Sequence, residues 1–238
     1  QIGLTEAEAT GALLCLDVTE AVLDEAIALG YNLVISHHPL IFKGYKSITG
    51  KDYVERCILK AIKNDIVIYS AHTNLDNAYG GVNYKIAEKI GLKNLQVLEP
   101  KENSLQDDLT QVGAGIVGEL DEPETELEFL KRIKKTFEVG CVRHNRLTGR
   151  EIQKVALCGG AGAFLLPQAI RAGADVFITG EIKYHDYFGH EGDILMAEIG
   201  HYESEQYTKE IFYSIIRDLF PNFALQSSKI NTNPIKYL

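Results

Sequence analysis

The stretch that most constrains this chain is Asn32-Leu33-Val34-Ile35-Ser36-His37-His38-Pro39. An apolar run of this length, bounded by polar residues, reads as a buried strand. Proline then bars its continuation as a central strand. Side chains on neighbouring extended residues point to opposite faces, and a residue before proline is held extended. His37 and His38 therefore diverge. One ion would struggle to take both, whereas two ions could take one each. The plainer alternative is a strand end with two polar residues in a loop, and the rest of the chain has to decide between them.

Around that stretch the chain reads as repeated strand–helix units. Ala12 to Asp17 is a short continuous apolar run, as expected of a strand buried on both faces. Thr19 is a helix N-cap and Gly30 a helix stop, with Val22, Leu23, Ala26, Ile27 and Leu29 as the apolar stripe between them. Strand–helix–strand predicts parallel pairing with a right-handed crossover. A second helix is expected over Lys51 to Asn64. A third strand, Ile66 to Ser70, runs into Ala71-His72-Thr73-Asn74-Leu75-Asp76. After Gly80-Gly81 a helix should run to Ile90. Further strands are expected at Val112 to Leu120, Gly140 to Arg143, Lys154 to Cys158, Ala174 to Thr179 and Ile194 to Ile199. Helices are expected from Pro123 to Phe137, from Phe164 to Ala172, and from the Glu203-Ser204-Glu205 stretch onward to Leu219. The tail from Phe223 is a candidate for a short edge strand. Residues 99–111 are polar and turn-rich, so they are the linker candidate between a first lobe, 1–98, and a second, 112–238.

Composition sets limits. The 238 residues are 45% hydrophobic and 24% charged, enough for a sizeable core, and the net charge of −9 argues against a nucleic-acid surface. Four scattered cysteines form no CxxC pair, so small core residues are the expectation for them. No signal peptide and no apolar run long enough to span a membrane is visible, so a cytoplasmic protein is expected. The chain opens on Gln1 and enters a strand almost at once, which suggests that upstream residues are missing. Gly159-Gly160-Ala161-Gly162 matches neither the phosphate-cradling GxxxxGK[ST] pattern nor GxGxxG. Tight strand–helix packing is the better reading of it.

Five candidate metal ligands sit at three strand exits: His37 and His38, Asp76, and His201 with Glu205. Sites in α/β sheets form at the carboxyl ends of strands. His201 and Glu205, spaced i, i+4, share a face if a helix starts at His201. Imidazole with carboxylate suits zinc, manganese, iron, cobalt or nickel. A carboxylate can bridge two ions, and paired ions activate a shared water in hydrolytic sites. Glu181, His185 and His72 are candidate proton carriers. Each has a plain alternative: a turn cap, a packed polar residue, and a hydrogen-bonded strand end.

Three stretches, Ser36-His37-His38-Pro39, Ala71 to Asp76 and Gly200-His201-Tyr202-Glu203-Ser204-Glu205, together resemble the Nif-three-like family, whose members carry the label GTP cyclohydrolase type two homolog. The similarity runs from about Leu13 to Phe220. Thr179-Gly180-Glu181 with His185 and the Gly159 to Gly162 turn fit it as well. The resemblance implies an α/β fold of two similar lobes facing each other across a dinuclear metal site. It implies two divalent ions per chain, with His38 and Asp76 on one, His37 and His201 on the other, Glu205 bridging, and His72 close by. It also implies a homohexamer. The family's usual opening segment and the long insertion of some members are absent. The function expected is that of a metal-dependent hydrolase acting on an unknown small molecule. Nothing in the sequence selects guanine. The alternative is a non-catalytic metal-handling protein or a protein-interaction scaffold.

Overall fold

The computed structural model describes residues 1–101 and 112–238. Among them the strands are β1 (Ala12–Cys15), β2 (Leu33–Ser36), β3 (Val67–Ser70), β4 (Lys93–Pro100), β5 (Gly113–Thr125), β6 (Arg143–His144), β7 (Glu151–Cys158), β8 (Val176–Thr179), β9 (Leu195–Glu198) and β10 (Leu225–Ser227). The helices are α1 (Glu20–Leu29), α2 (Tyr53–Lys63), α3 (Thr73–Asp76), α4 (Val82–Ile90), α5 (Glu126–Thr136), α6 (Leu166–Arg171), α7 (His201–Glu205) and α8 (Thr208–Leu219). The fold is α/β with two sheets. No helix among the described residues is long and apolar enough to cross a membrane.

The chain forms two compact units: Gln1–Thr73 with Thr208–Pro234, and Asn74–Tyr207 with Ile235–Leu238. The expected lobes were consecutive stretches of chain; these units are not. Most of the expected linker, 102–111, lies outside the described residues.

In the first unit the sheet order is β10-β1-β2-β3, all parallel. The tail supplies β10 as an edge strand. Local signals build the helices as the sequence suggests. The Thr19 hydroxyl accepts from Val22 N, and Gly30 closes α1 in the left-handed conformation. Asp52 accepts from Glu55 N to start α2. Leu13, Cys15, Val34 and Ile68 from the strands pack with Val22, Leu23 and Ala26 of α1 and Cys57, Ile58 and Ala61 of α2. Helix α8 packs on β1 and β10.

The second unit holds a six-stranded sheet, β4-β5-β7-β8-β9-β6. It is mixed: β7, β8 and β9 are parallel, while β4, β5 and β6 join antiparallel. Alternation along β7 splits its burial between two faces. Ala156 and Cys158 pack with Leu166 and Ala169 of α6 and with Phe177. Helices α4 and α5 pack on β5 and β7.

Strand β4 fills residues 93–98, for which the sequence carried no expected element, and takes in the first two residues of the expected linker. Two sequence expectations are overturned. Pro123 does not open a helix. It belongs to β5, within the register irregularity between Glu119 and Glu124, where a missing N–H breaks no regular ladder. Helix α5 starts instead with Thr125 as N-cap, in a reciprocal capping box with Glu128. The helix expected to run unbroken from Glu203 to Leu219 is two, α7 and α8, with Gln206 and Tyr207 between them. Gln206 Nε2 there donates to the Phe137 carbonyl at 3.1 Å, and the Tyr207 hydroxyl to the Thr136 carbonyl at 3.0 Å.

Candidate metal centre

In the first unit the exits of β1, β2 and β3 converge because their ladder continues past the strands. His37 N donates to the Cys15 carbonyl at 3.3 Å and His38 N to the Leu16 carbonyl at 2.9 Å. Ala71 N donates to the Ser36 carbonyl at 3.0 Å. Three imidazoles gather there. The ring centroids of His37 and His38 are 4.8 Å apart, and His72 lies 5.3 Å from His37 and 5.5 Å from His38. Each offers a ring nitrogen, and these atoms all lie within 4.8 Å of one another, so the three could hold a metal ion.

Tautomers follow from the partners. A carbonyl oxygen only accepts, so the 2.9 Å contact between His37 Nδ1 and the Ala71 carbonyl places the proton on Nδ1. Nε2 then carries the lone pair. His38 Nδ1 meets the Asp17 carboxylate at 2.7 Å, with the same consequence. Asp17 is itself steadied by the Thr232 hydroxyl at 2.5 Å. Nδ1 bonded to a carbonyl or carboxylate while Nε2 serves as ligand is the usual support of a metal-binding histidine.

In the second unit, α7 begins at the exit of β9, and its first and last residues are His201 and Glu205. His201 Nε2 lies 3.2 Å from Glu205 Oε2, while His201 Nδ1 lies 2.8 Å from Glu181 Oε1. Burial alone would lower the His201 pKa. Hydrogen bonding and charge from Glu205, then from Glu181, outweigh it and hold the imidazole above its ordinary value. Glu205 is 4% exposed. A carboxylate so buried needs a cation or strong donors to offset its lost hydration.

The glycine turn after β7 makes room for that carboxylate. Gly160 has φ +60°, and a Cβ there would collide with Glu205 Oε1. The turn is locked on three sides. Gly160 N donates to Ser204 Oγ at 3.0 Å, and the Gly160 carbonyl accepts from Thr179 Oγ1 at 3.1 Å and from Glu181 N at 3.0 Å. Asp76 closes α3, and its carbonyl accepts from Asn83 Nδ2 at 2.9 Å. Asn83 Oδ1 in turn accepts from Gly159 N at 2.9 Å, joining the Asp76 segment to the same turn. Cys158, just below it, is pushed up to about 12 by burial, then by the charges of Asp76 and Glu205. It remains a neutral thiol at ordinary pH.

The sequence candidates are thus divided between the units: His37, His38 and His72 belong to the first, and Asp76, His201 and Glu205 to the second. Glu181 orients His201. His185 is exposed and lies edge-on to Tyr184 at 5.2 Å between centroids. Two supporting residues went unrecognised in the sequence. Asp17 carried the same signal as the ligands, a polar residue at a strand exit. Asn83 lies inside a helix and gave none.

The family model described as Duf34/NIF3 (NGG1p interacting factor 3) matches residues 1–234. A Lactococcus lactis protein named GTP cyclohydrolase 1 type 2 homolog is 34% identical over 244 residues, covering 98% of this chain and 88% of its own length. The crystal structure of a Staphylococcus aureus hypothetical protein superposes with TM-score 0.90 at 32% identity, covering 100% of this chain and 90% of that one. A Bacillus cereus protein related to NIF3 superposes with TM-score 0.89 at 26% identity, covering 100% and 92%.

Proposed function

The chain belongs to the Duf34/NIF3 family, and from that premise we propose that it is a dinuclear divalent-metal protein acting as a metal-dependent hydrolase. The observation that carries the reading is the shared state of His37 and His38. In each, Nδ1 donates to an oxygen acceptor, so that Nε2 is the donor nitrogen; His201 is held by carboxylates on both sides, Nδ1 by Glu181 and Nε2 by Glu205. A buried carboxylate, Glu205, complements them in the second unit. In this proposal His38 and Asp76 hold one ion, His37 and His201 the other, and Glu205 bridges both. Imidazole with carboxylate suits first-row divalent ions.

When bound, two such ions supply Lewis acidity and bring water into its nucleophilic range near neutral pH. The protein's part is orientation and proton handling. Asp17 and Glu181 fix the rings of His38 and His201, and the Ala71 carbonyl fixes that of His37. His72, half-buried beside the other two imidazoles, is a candidate to hold or pass a proton, as are Glu181 and His185. The relatives' name points to a nucleotide ring-opening reaction; the donor residues support metal binding and do not choose a substrate. The proposal includes a homohexamer, for which light scattering gives the mass; a clean monomer would remove it.

The test compares metal content and circular dichroism of Glu205→Gln and His37→Ala. Removing the bridge takes a ligand from both ions and leaves their mutual repulsion less screened. Glu205→Gln should therefore lower occupancy of both sites, and His37→Ala mainly of one, with the fold retained. If Glu205→Gln keeps two ions while His37→Ala loses both, Glu205 is not the bridge.

A further inference from the structure

The second unit carries a cleft of about 450 Å³, separate from the donor residues and lined by Val142, Arg143, His144, Tyr184, Tyr187 and Phe188. That volume lies within the range of small-ligand sites. Its walls are unusual for a surface. Tyr184 is 68% exposed and Phe188 56%, with ring centroids 5.4 Å apart. Large aromatic rings grouped in water mark a surface that gains by being covered.

The polar side of the cleft is as ordered as the aromatic side is exposed. Arg143 pairs with Glu198 across the β6–β9 ladder, Nη1 to Oε1 at 2.8 Å, and its guanidinium lies 5.7 Å from the centre of the Tyr187 ring. The other carboxylate oxygen of Glu198 accepts from Ile182 N and from the Tyr187 hydroxyl, both at 3.1 Å. Arg143 and Tyr187 are thus held in place before any ligand arrives. A guanidinium has five N–H donors in a rigid fork, and the Glu198 contact engages Nη1. Arg143 is the one lining residue with a full charge; its pairing with Glu198 offsets that charge and leaves the remaining N–H groups of the fork to meet a ligand.

We infer that this cleft binds a planar aromatic ring bearing an anionic group, the ring stacked against Tyr184 with Phe188 edge-on to it, and the anion met by Arg143. Nucleotides and simple aryl phosphates share this chemistry. The inference does not rest on the metal reading, because none of the lining residues is a proposed ligand.

Titration calorimetry on chelator-treated protein tests it, with adenosine monophosphate, phenyl phosphate, adenosine and inorganic phosphate as probes. Adenosine monophosphate or phenyl phosphate should bind measurably, and the preferred one of the two names the ligand type. Tyr184→Ala should weaken that binding by about fivefold or more, the size of one lost stacking contact. Arg143→Gln should weaken the phosphate-bearing probe by about tenfold and leave adenosine unchanged. Both side chains are more than half exposed, so the fold should survive; Phe188→Ala repeats the ring test should Tyr184→Ala misfold. The inference is overturned if no probe binds, or if Tyr184→Ala and Arg143→Gln bind like the parent. It is equally overturned if Tyr184→Ala changes the particle mass in light scattering while no probe binds, since the rings would then belong to a subunit contact.

Discussion

Gly160→Ala separates the cost of a backbone conformation from the cost of losing a metal ligand. Gly160 and Gly30 both sit in the left-handed region, at φ +60° and +69°. A methyl added at Gly30 meets nothing within 4 Å. One added at Gly160 would stand 3.2 Å from Glu205 Cδ and 3.4 Å from His201 Nε2, and would overlap Glu205 Oε1 outright. Each substitution carries the left-handed penalty of about 1–2 kcal/mol. In a chain of this size that lowers Tm by about 2–4 °C per kcal/mol. Only Gly160→Ala also drives the carboxylate away, by about 1 Å if ordinary van der Waals separation is to be restored. Metal–ligand distances tolerate about 0.2 Å. Tm is measured after chelation, because a bound ion would itself stabilise the fold. Gly160→Ala should then melt below Gly30→Ala by the added cost of overpacking against Glu205, and after reloading it should hold half the metal of Gly30→Ala or less. Equal metal content in the two would refute the argument that the turn exists to admit Glu205.

Two further outcomes follow from the side chains. Asp17→Asn keeps its shape but can turn an N–H toward His38 Nδ1 and disturb the tautomer. Metal affinity in chelator competition should fall about 10- to 100-fold, and unchanged affinity would show that Asp17 does not position that ring. Glu55 is buried, and its carboxylate accepts from Thr49 N at 2.8 Å, Thr49 Oγ1 at 3.0 Å and Lys51 N at 3.1 Å. The backbone hydrogen bond from Thr49 leads in holding its pKa at about 2, against a reference of 4.5, although burial would raise it. A depressed carboxylate pKa gives stability that is present above the unfolded value and lost as pH falls toward the folded one. Glu55→Gln should therefore melt below the parent near neutral pH, and the gap should close between about pH 4.5 and 2; parallel melting curves across that window would sink the assignment.

The amino-acid sequence alone settled the alternation of strands and helices and the local signals at their ends. The apolar run ending at His37 and His38, and the i, i+4 spacing of His201 and Glu205, were legible because strand exit and helix start are local events; Asp76, expected at a strand exit, instead closes the short helix α3. The caps at Thr19, Gly30 and Asp52 were equally local, and Thr19 and Gly30 could be assigned from residue type alone. What depended on distant partners was not legible. Strand β10 joins β1 through the pairing of Ala12 with Leu225, which no window of sequence contains, so the first unit recovers its last strand from the end of the chain. Pro123 reads as a helix opener until β7 lies alongside and draws β5 past it. Asp17 and Glu181 are ordinary acidic residues until folding sets each against the Nδ1 of a histidine 21 or 20 residues away. Hydrophobic pattern and capping act over a few residues, whereas ladder pairing and ring orientation are decided by whatever the chain brings back to the same place.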